Sequence, residues 1–503
     1  MVAAGLRERD APYVHLRPLG DRRECGGVAV CTLGTKLDYG NGAPPDGVFA
    51  EWNWDGQRLT VRNDRYGCYP LYYFADALEV AVSPSIPALL RLGAPHEFDD
   101  AAFAVFLRLG HLLGDDTLFK RIHALPPNAT LTWHDGQLDV AGGSTDPKPS
   151  ALSRDAALDG FITMFREAVR RRVPEGGDCV VALSGGEDSR HIAFALCEIE
   201  RPPRRCVTYE SWWGQLKNDP PVAAEVARAL GVEHVVLHGH GSLLRAELRK
   251  NLATSFGSYR HPQVLLLRDW LSGQTTAVFE GLAGDLVRCD NLNPGNLRLM
   301  EAGRFEAMAR NIFGSIGERF MPVLAPALQR RFGVEQAVAR LTAELARHVE
   351  AANPIGSFVF WNLVRREIAL ASYLLSQSGR RLLLPYLDHG LYDHVMSLPA
   401  ALLLDHRFHR DAIARAYPRY TSIPFAVGAM TRWHRWHVRR YAAELLGYVT
   451  AAPSQVVRRP LVAAHLLQIM ATGWASPLGA LGPHPEKLAR IAHLLQLERS
   501  LAG

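Results

Sequence analysis

No apolar run in this chain is long enough to cross a bilayer, and its first residues, MVAAGLRERDAP, lack the apolar core of a signal peptide. These absences set the expectation of a cytoplasmic protein with no membrane insertion. The seven cysteines, at 25, 31, 68, 179, 197, 206 and 289, include no CxxC pair. Neither a disulfide framework nor a zinc site is therefore expected. Net charge is scarce as well, only +5 over 503 residues, which is too little to suggest a nucleic-acid partner. Internal repeats and long low-complexity segments are missing. What remains is 48% apolar and 21% charged, an ordinary globular composition with enough chain for two or three domains.

The most informative stretch is Cys179–Leu196, CVVALSGGEDSRHIAFAL. Cys179–Leu183 is a short, β-branched apolar run and predicts a buried strand. Ser184–Ser189 is a polar turn, and Ile192, Ala195 and Leu196 carry a helical spacing. Strand, glycine turn and helix make a phosphate cradle. Gly185 and Gly186 let the backbone approach an anion, and the first N–H groups of the helix face it with a favourable dipole. The hydroxyls of Ser184 and Ser189 add donors, and Asp188 is placed to hold magnesium on the phosphates. No lysine follows the glycines, so this is not the loop of kinases and GTPases.

SGGEDS resembles the SGGxDS signature of the ATP pyrophosphatase superfamily, whose loop grips the departing pyrophosphate. That resemblance implies ATP and Mg2+ as cofactors. It also implies a nucleotide site formed by Leu183, Ser184, Gly185, Gly186, Asp188 and Ser189, with Thr208 on the next expected strand, Arg205–Tyr209. Ala277–Asp285, AVFEGLAGD, is similar to the family's GxGxDE turn. Gly281 and Gly284 would border the nucleotide, and Asp285 would join Asp188 as the second magnesium ligand.

Residues 1–140 read as short strands between turn clusters such as NGAPPDG. Within them, Asp64, Arg65, Gly67, Pro70, Leu71, Tyr72 and Tyr73 match the DRxGxxPLYY turn of the glutaminase half of asparagine synthetases. That glutaminase uses a cysteine exposed once Met1 is removed, whereas position 2 is Val2. The expectation is a degenerate, glutaminase-inactive domain that scaffolds the rest. AGGSTDPKPS follows, and 141–152 reads as a linker. Residues 153–503 then read as the synthetase domain. Helix at 156–172, strand at 205–209, helix at 221–230 and strand at 233–237 predict a parallel sheet covered by helices. Beyond 297 the pattern is helical. In Thr431–Arg440, TRWHRWHVRR, it suggests an amphipathic helix with inward tryptophans. The expected fold is thus an Ntn-like, glutaminase-type β-sandwich followed by an α/β ATP-pyrophosphatase domain with a helical C-terminal part.

The resemblance to asparagine synthetase-like proteins covers roughly 50–425. LPYLD at 384–388 resembles the family's PFLD segment, and HRFHRDAIARAYP the segment after it. There Arg410 matches the family's arginine, and His406 stands where a lysine is expected. Arg407, its neighbour, is the expected stand-in for that cation, which makes His406, Arg407 and Arg410 the candidate catalytic residues. The family adenylates a carboxylate and lets an amine attack it. β-Lactam synthetases use a tyrosine and a glutamate where Leu282 and Arg381 stand here. By elimination within the family, the resemblance points to a lasso-type macrolactam cyclase that joins a peptide's N-terminal amine to an Asp or Glu side chain. Its partners would be a precursor peptide, a leader-peptide-binding protein and a leader protease. The alternatives are a β-lactam or asparagine synthetase-type ligase and, from another class, a non-catalytic partner-binding homologue.

Overall fold

The computed structural model describes residues 11–19, 22–40, 42–209, 219–239, 241–274, 277–288, 292–316, 320–427, 432–473 and 485–502. Val2 and Cys289 lie outside the described residues.

Among the described residues, ten strands occupy the N-terminal part. They are β1 (Val14–Leu19), β2 (Arg22–Gly27), β3 (Val30–Leu37), β4 (Asp46–Trp54), β5 (Leu59–Asn63), β6 (Tyr72–Ala75), β7 (Val80–Ser83), β8 (His123–Ala124), β9 (Thr130–His134) and β10 (Gln137–Ala141). They form two antiparallel sheets, β2-β1-β7-β6-β8 and β10-β9-β5-β4-β3. In β5 the burial alternates: Leu59, Val61 and Asn63 are covered while Arg62 is exposed, the period expected of a half-buried strand. Val14, Leu16, Val80 and Val82 of one sheet share a core with Trp52, Leu59, Val61 and Trp133 of the other.

The second part is built on a parallel sheet. Its strands are β11 (Cys179–Ala182), β12 (Arg205–Tyr209), β13 (Glu233–Leu237), β14 (Ala277–Phe279) and β15 (Leu382–Leu383), in the order β13-β12-β11-β14-β15. Helices Asp188–Glu198, Asp219–Leu230 and Val264–Leu271 pack on it. From β11 the chain adds strands first on one side and then on the other. The crevice between the carboxyl ends of β11 and β14 is therefore the place where open parallel sheets bind ligands.

Buried charge joins the two parts. Arg172, 1% exposed at the side chain, pairs with Asp46 of β4 at 2.5 Å and with Asp388 of the LPYLD segment at 2.7 Å. Arg65 of the DRYG turn grips Asp393 with both terminal nitrogens, at 2.5 and 3.0 Å. Leu382 N of edge strand β15 donates to Thr35 Oγ1 of β3 at 3.0 Å. A π-helix, Val359–Ile368, contributes Asn362, Arg365 and Arg366 to the backbone at 114–116 and Leu125. The stretch after β10 has no strand or helix. It is pinned by Asp146, which accepts from Ser357 Oγ at 2.5 Å and Trp361 Nε1 at 3.1 Å.

One sequence expectation needs correction. Helix Arg432–Thr450 forms, but Trp436 is an exposed large apolar side chain at 49%, with the Arg440 guanidinium over its ring. A cation over a wet indole gains energy without burial, which removes the need for the tryptophan to turn inward. Among the described residues no helix is long and apolar enough to cross a membrane.

Candidate active site

The loop Ser184–Glu187 leaves β11 and enters the helix Asp188–Glu198. It closes on itself. Ser184 N donates to Ser189 Oγ at 2.8 Å, the two seryl oxygens are 3.0 Å apart, and Gly186 N donates to Ser184 Oγ at 3.2 Å. Gly185 N donates to Asp219 Oδ1 at 2.8 Å. A Cβ on Gly185 would come within 2.5 Å of Ala426 Cβ, so the strap 423–427 lies directly on the loop. Arg190 binds that strap down, with its guanidinium on Gly185 O, Ile423 O and Pro424 O. The Phe425 ring sits between Arg190 and Arg410, at 4.1 and 4.8 Å.

Leu183 is buried, and its carbonyl accepts from Thr208 Oγ1 at 2.7 Å. Thr208 also lies 2.8 Å from His234 Nε2. Its hydroxyl therefore links β12 to the end of β11 and to the start of β13. Across the crevice, Gly281 and Gly284 are small because Asp188 is there. A Cβ at Gly284 would fall 2.3 Å from Asp188 Cγ, and one at Gly281 would fall 3.0 Å from Asp188 Cβ. Ala283 takes a left-handed φ of 72° to make this turn. Asp285 begins the next helix, Asp285–Arg288, directly after the glycine that packs on the Asp188 carboxylate. The two carboxylates thus come from adjacent parallel strands at the switch point.

The helix entrance is unfinished. Glu187, its N-cap residue, makes no side-chain capping bond, so the N–H groups of the first turn await an acceptor. Glu187 Oε2 and Asp188 Oδ1 are buried and accept no hydrogen bond among the described residues, although His409 Nδ1 faces them at 3.7 and 3.2 Å. Buried carboxylate oxygens at an uncapped helix start, beside a glycine cradle, suit a hard cation and its phosphates. Asp188 and Asp285 are the residues that would hold magnesium, which would neutralise phosphate charge.

Of the family-implied cations, the structure brings Arg410 to the loop, with Nε 2.5 Å from Glu187 Oε1. His406 and Arg407 are exposed in the turn before helix Phe408–Ala416. Arg407, 72% exposed at the side chain, donates its amide to Asp405 and has its guanidinium 3.9 Å from Asp411.

The residue that reaches the Asp188 carboxylate is His409, which the sequence reading did not single out. It is fully buried, with Nδ1 3.2 Å from Asp188 Oδ1 and Nε2 3.2 Å from both His191 Nδ1 and Tyr386 OH. Tyr386 OH also donates to Asp188 O at 3.1 Å. His191 stacks on Phe165 at 3.8 Å. Burial, and then the neighbouring His409, drive His191 far below the usual histidine range. The signal for His409 was its place one residue before Arg410. Its burial depends on helices distant in sequence.

A model of the asparagine synthase family matches residues 161–477, more than half of the chain, and one of a glutamine amidotransferase domain matches 43–142. A curated relative, the amidase chyE of Penicillium rubens, is 26% identical over 165 residues, which is 31% of this chain and 23% of that protein. The chain thus spans less than a quarter of that relative. Similar solved structures include glutamine phosphoribosylpyrophosphate amidotransferase from B. subtilis complexed with ADP and GMP. That match has 12% identity, covers 53% of this chain and 63% of that one, and has a TM-score of 0.17. Another is described as the allosteric regulatory enzyme of purine biosynthesis, at 11% identity, 39% and 47% coverage and a TM-score of 0.15. With the family's domain spanning the loop Ser184–Glu187, Asp188, Asp285 and Arg410, the chain belongs to the asparagine synthase family.

Proposed function

We propose that this protein is an ATP-dependent amide ligase that adenylates a carboxylate, releases pyrophosphate and closes a macrolactam on an amine of the same peptide. The observation that carries the reading is the uncapped helix start, where Asp188 Oδ1 and Glu187 Oε2 are buried and accept no hydrogen bond among the described residues, with His409 Nδ1 facing them at 3.2 and 3.7 Å. The N–H groups of the uncapped helix start and Arg410 bind the departing pyrophosphate, while the strap and LPYLD wall exclude water from the adenylate. The reacting groups need mainly orientation, which holding one folded peptide supplies.

Support for an amine from the substrate itself comes from the thiols of the N-terminal part. Burial raises Cys25, Cys31 and, most strongly, Cys68, and a poised thiolate needs the opposite shift. The protein should release no glutamate from glutamine. Steady glutamate release that depends on this protein would revive an amidotransferase. Peptide partners follow from this reading: a precursor peptide, a leader-binding protein and a leader protease.

One observation favours a partner-binding homologue instead: Asp219 already occupies the Gly185 N–H. ATP–pyrophosphate exchange decides between the two readings. Mg2+-dependent exchange with peptides bearing an internal Asp or Glu is expected, and its absence across such peptides favours the binding module.

A further inference from the structure

Glu280 directly follows β14 at its carboxyl end. It precedes Gly281, whose close approach to Asp188 places this turn against the phosphate loop. One carboxylate oxygen is held from two sides: Oε2 accepts from Ser372 Oγ at 2.6 Å and from Leu282 N at 3.3 Å. Oε1 has no hydrogen-bond partner among the described residues and is not sealed from water. The groups around it are Asp188 from helix Asp188–Glu198, His261 from the loop after helix Leu243–Ala253, and Tyr209 from the end of β12. Burial, joined by the Asp188 charge, holds the Glu280 carboxyl above the ordinary range, while Ser372, Leu282 N and His261 draw it down. A carboxylate anchored by one oxygen and open at the other is suited to receiving a proton. Leu282, two residues on, has no acid–base group to offer.

We propose that Glu280 Oε1 takes the proton from the attacking amine, so that the substrate is a peptide presenting an ammonium group beside its own acyl-adenylate. The assignment rests on the amide-ligase reading. In the step, the amine nitrogen bonds to the acyl carbon and the acyl C–O bond to AMP breaks. AMP leaves with the electron pair; one ammonium proton passes to Glu280, which frees the nitrogen lone pair for attack, and the second is released to water as the amide forms.

The test compares the full chain with its Glu280→Gln variant, using Mg·ATP and peptides with a free N-terminal amine and an internal Asp or Glu. Three products are scored: pyrophosphate exchange, ring closure, and hydroxamate formed with added hydroxylamine, which is neutral near pH 7 and needs no base. Glu280→Gln should retain exchange and hydroxamate formation while ring closure falls on the order of 100-fold. Glu280→Asp should restore part of the ring closure. Ser372→Ala, which keeps the carboxylate but removes a bond favouring its charged form, should move the acid limb of the ring-closure pH profile upward. Ring closure at the wild-type rate in Glu280→Gln, or an unmoved acid limb in Ser372→Ala, overturns the assignment and leaves the ligase reading standing. Equal loss of all three products in Glu280→Gln overturns it too, by making Glu280 a support of the loop. No exchange by the wild-type protein overturns the ligase reading itself.

Discussion

Asp64 in the N-terminal part and Asp188 in the second both sit in tight, glycine-containing turns, yet their surroundings differ. Asp64 is 1% exposed and accepts from four backbone N–H groups: Phe49 at 3.3 Å, Tyr66 at 3.0 Å, Cys68 at 3.2 Å and Tyr69 at 3.1 Å. Its carboxylate folds the DRYGCYPLYY turn and has nothing left to offer. Gly67 permits that turn, with φ of 60° and Pro127 Cα 3.1 Å from where its Cβ would be. Asp188 instead has a buried Oδ1 that accepts no hydrogen bond among the described residues, with His409 Nδ1 3.2 Å away and an uncapped helix behind it. A saturated carboxylate holds a fold together. An unsaturated one costs stability unless a ligand completes it, and that is the ground for proposing the parallel-sheet crevice as the working site.

The border between the two parts follows the Asp64 pattern, and it offers the largest test of the contrast. Arg172→Met leaves Asp46 and Asp388 buried with their central partner gone. It should cost about 3–5 kcal/mol in denaturant unfolding. A loss below about 1 kcal/mol would mean that the halves are joined elsewhere.

Asp188→Asn should do the reverse, cutting amide formation on the order of 100- to 1,000-fold while thermal unfolding stays near wild type. Asp285→Asn should behave alike. Near wild-type turnover by either variant at saturating ATP would contradict the two-carboxylate cation site. Asp64→Ala, by contrast, strips acceptors from four buried donors. It should lose on the order of 3 kcal/mol of stability, and the fraction that stays folded should retain pyrophosphate exchange. A soluble, fully stable Asp64→Ala protein would erase the distinction.

A pH-dependent effect is shared by both parts. Burial lowers His111 to about 4 and drives His191 and His493 well below their usual range. These rings fold neutral, so the stability they permit is complete above about pH 6.5, the usual histidine value. It is lost as the pH falls from there toward 4, by up to about 1.4 kcal/mol per unit for each histidine. Melting temperatures between pH 7.5 and pH 5 measure this, and His111→Phe should flatten part of the slope. A melting temperature that rises on acidification runs against it.

Long, periodic elements were legible in the sequence. The strands expected at 205–209 and 233–237 match β12 and β13, and the one expected at 179–183 ends one residue sooner as β11. The helix expected from 221 begins at Asp219, whose carboxylate then reaches the loop. β15 was not legible, because two residues carry no periodicity and Leu382–Leu383 exists only by pairing with β14 and meeting Thr35. Glu187 occupies the unspecified position of SGGxDS, so nothing marked it as the buried partner of Arg410. His409 and Glu280 gain their meaning from contacts between strand ends and helices far apart in the chain. The π-helix, with its row of arginines on the N-terminal part, has no local signature that separates it from an α-helix.

The central claim concerns which bond of ATP is broken in the crevice between β11 and β14. Phosphorus-31 NMR of Mg·ATP turned over by the full chain, with peptides carrying a free N-terminal amine and an internal Asp or Glu, measures it directly. Equal amounts of AMP and pyrophosphate, formed by the wild-type protein and lost in Asp188→Asn, are the expected result. ADP with inorganic phosphate, or AMP and pyrophosphate formed undiminished by Asp188→Asn, would contradict it.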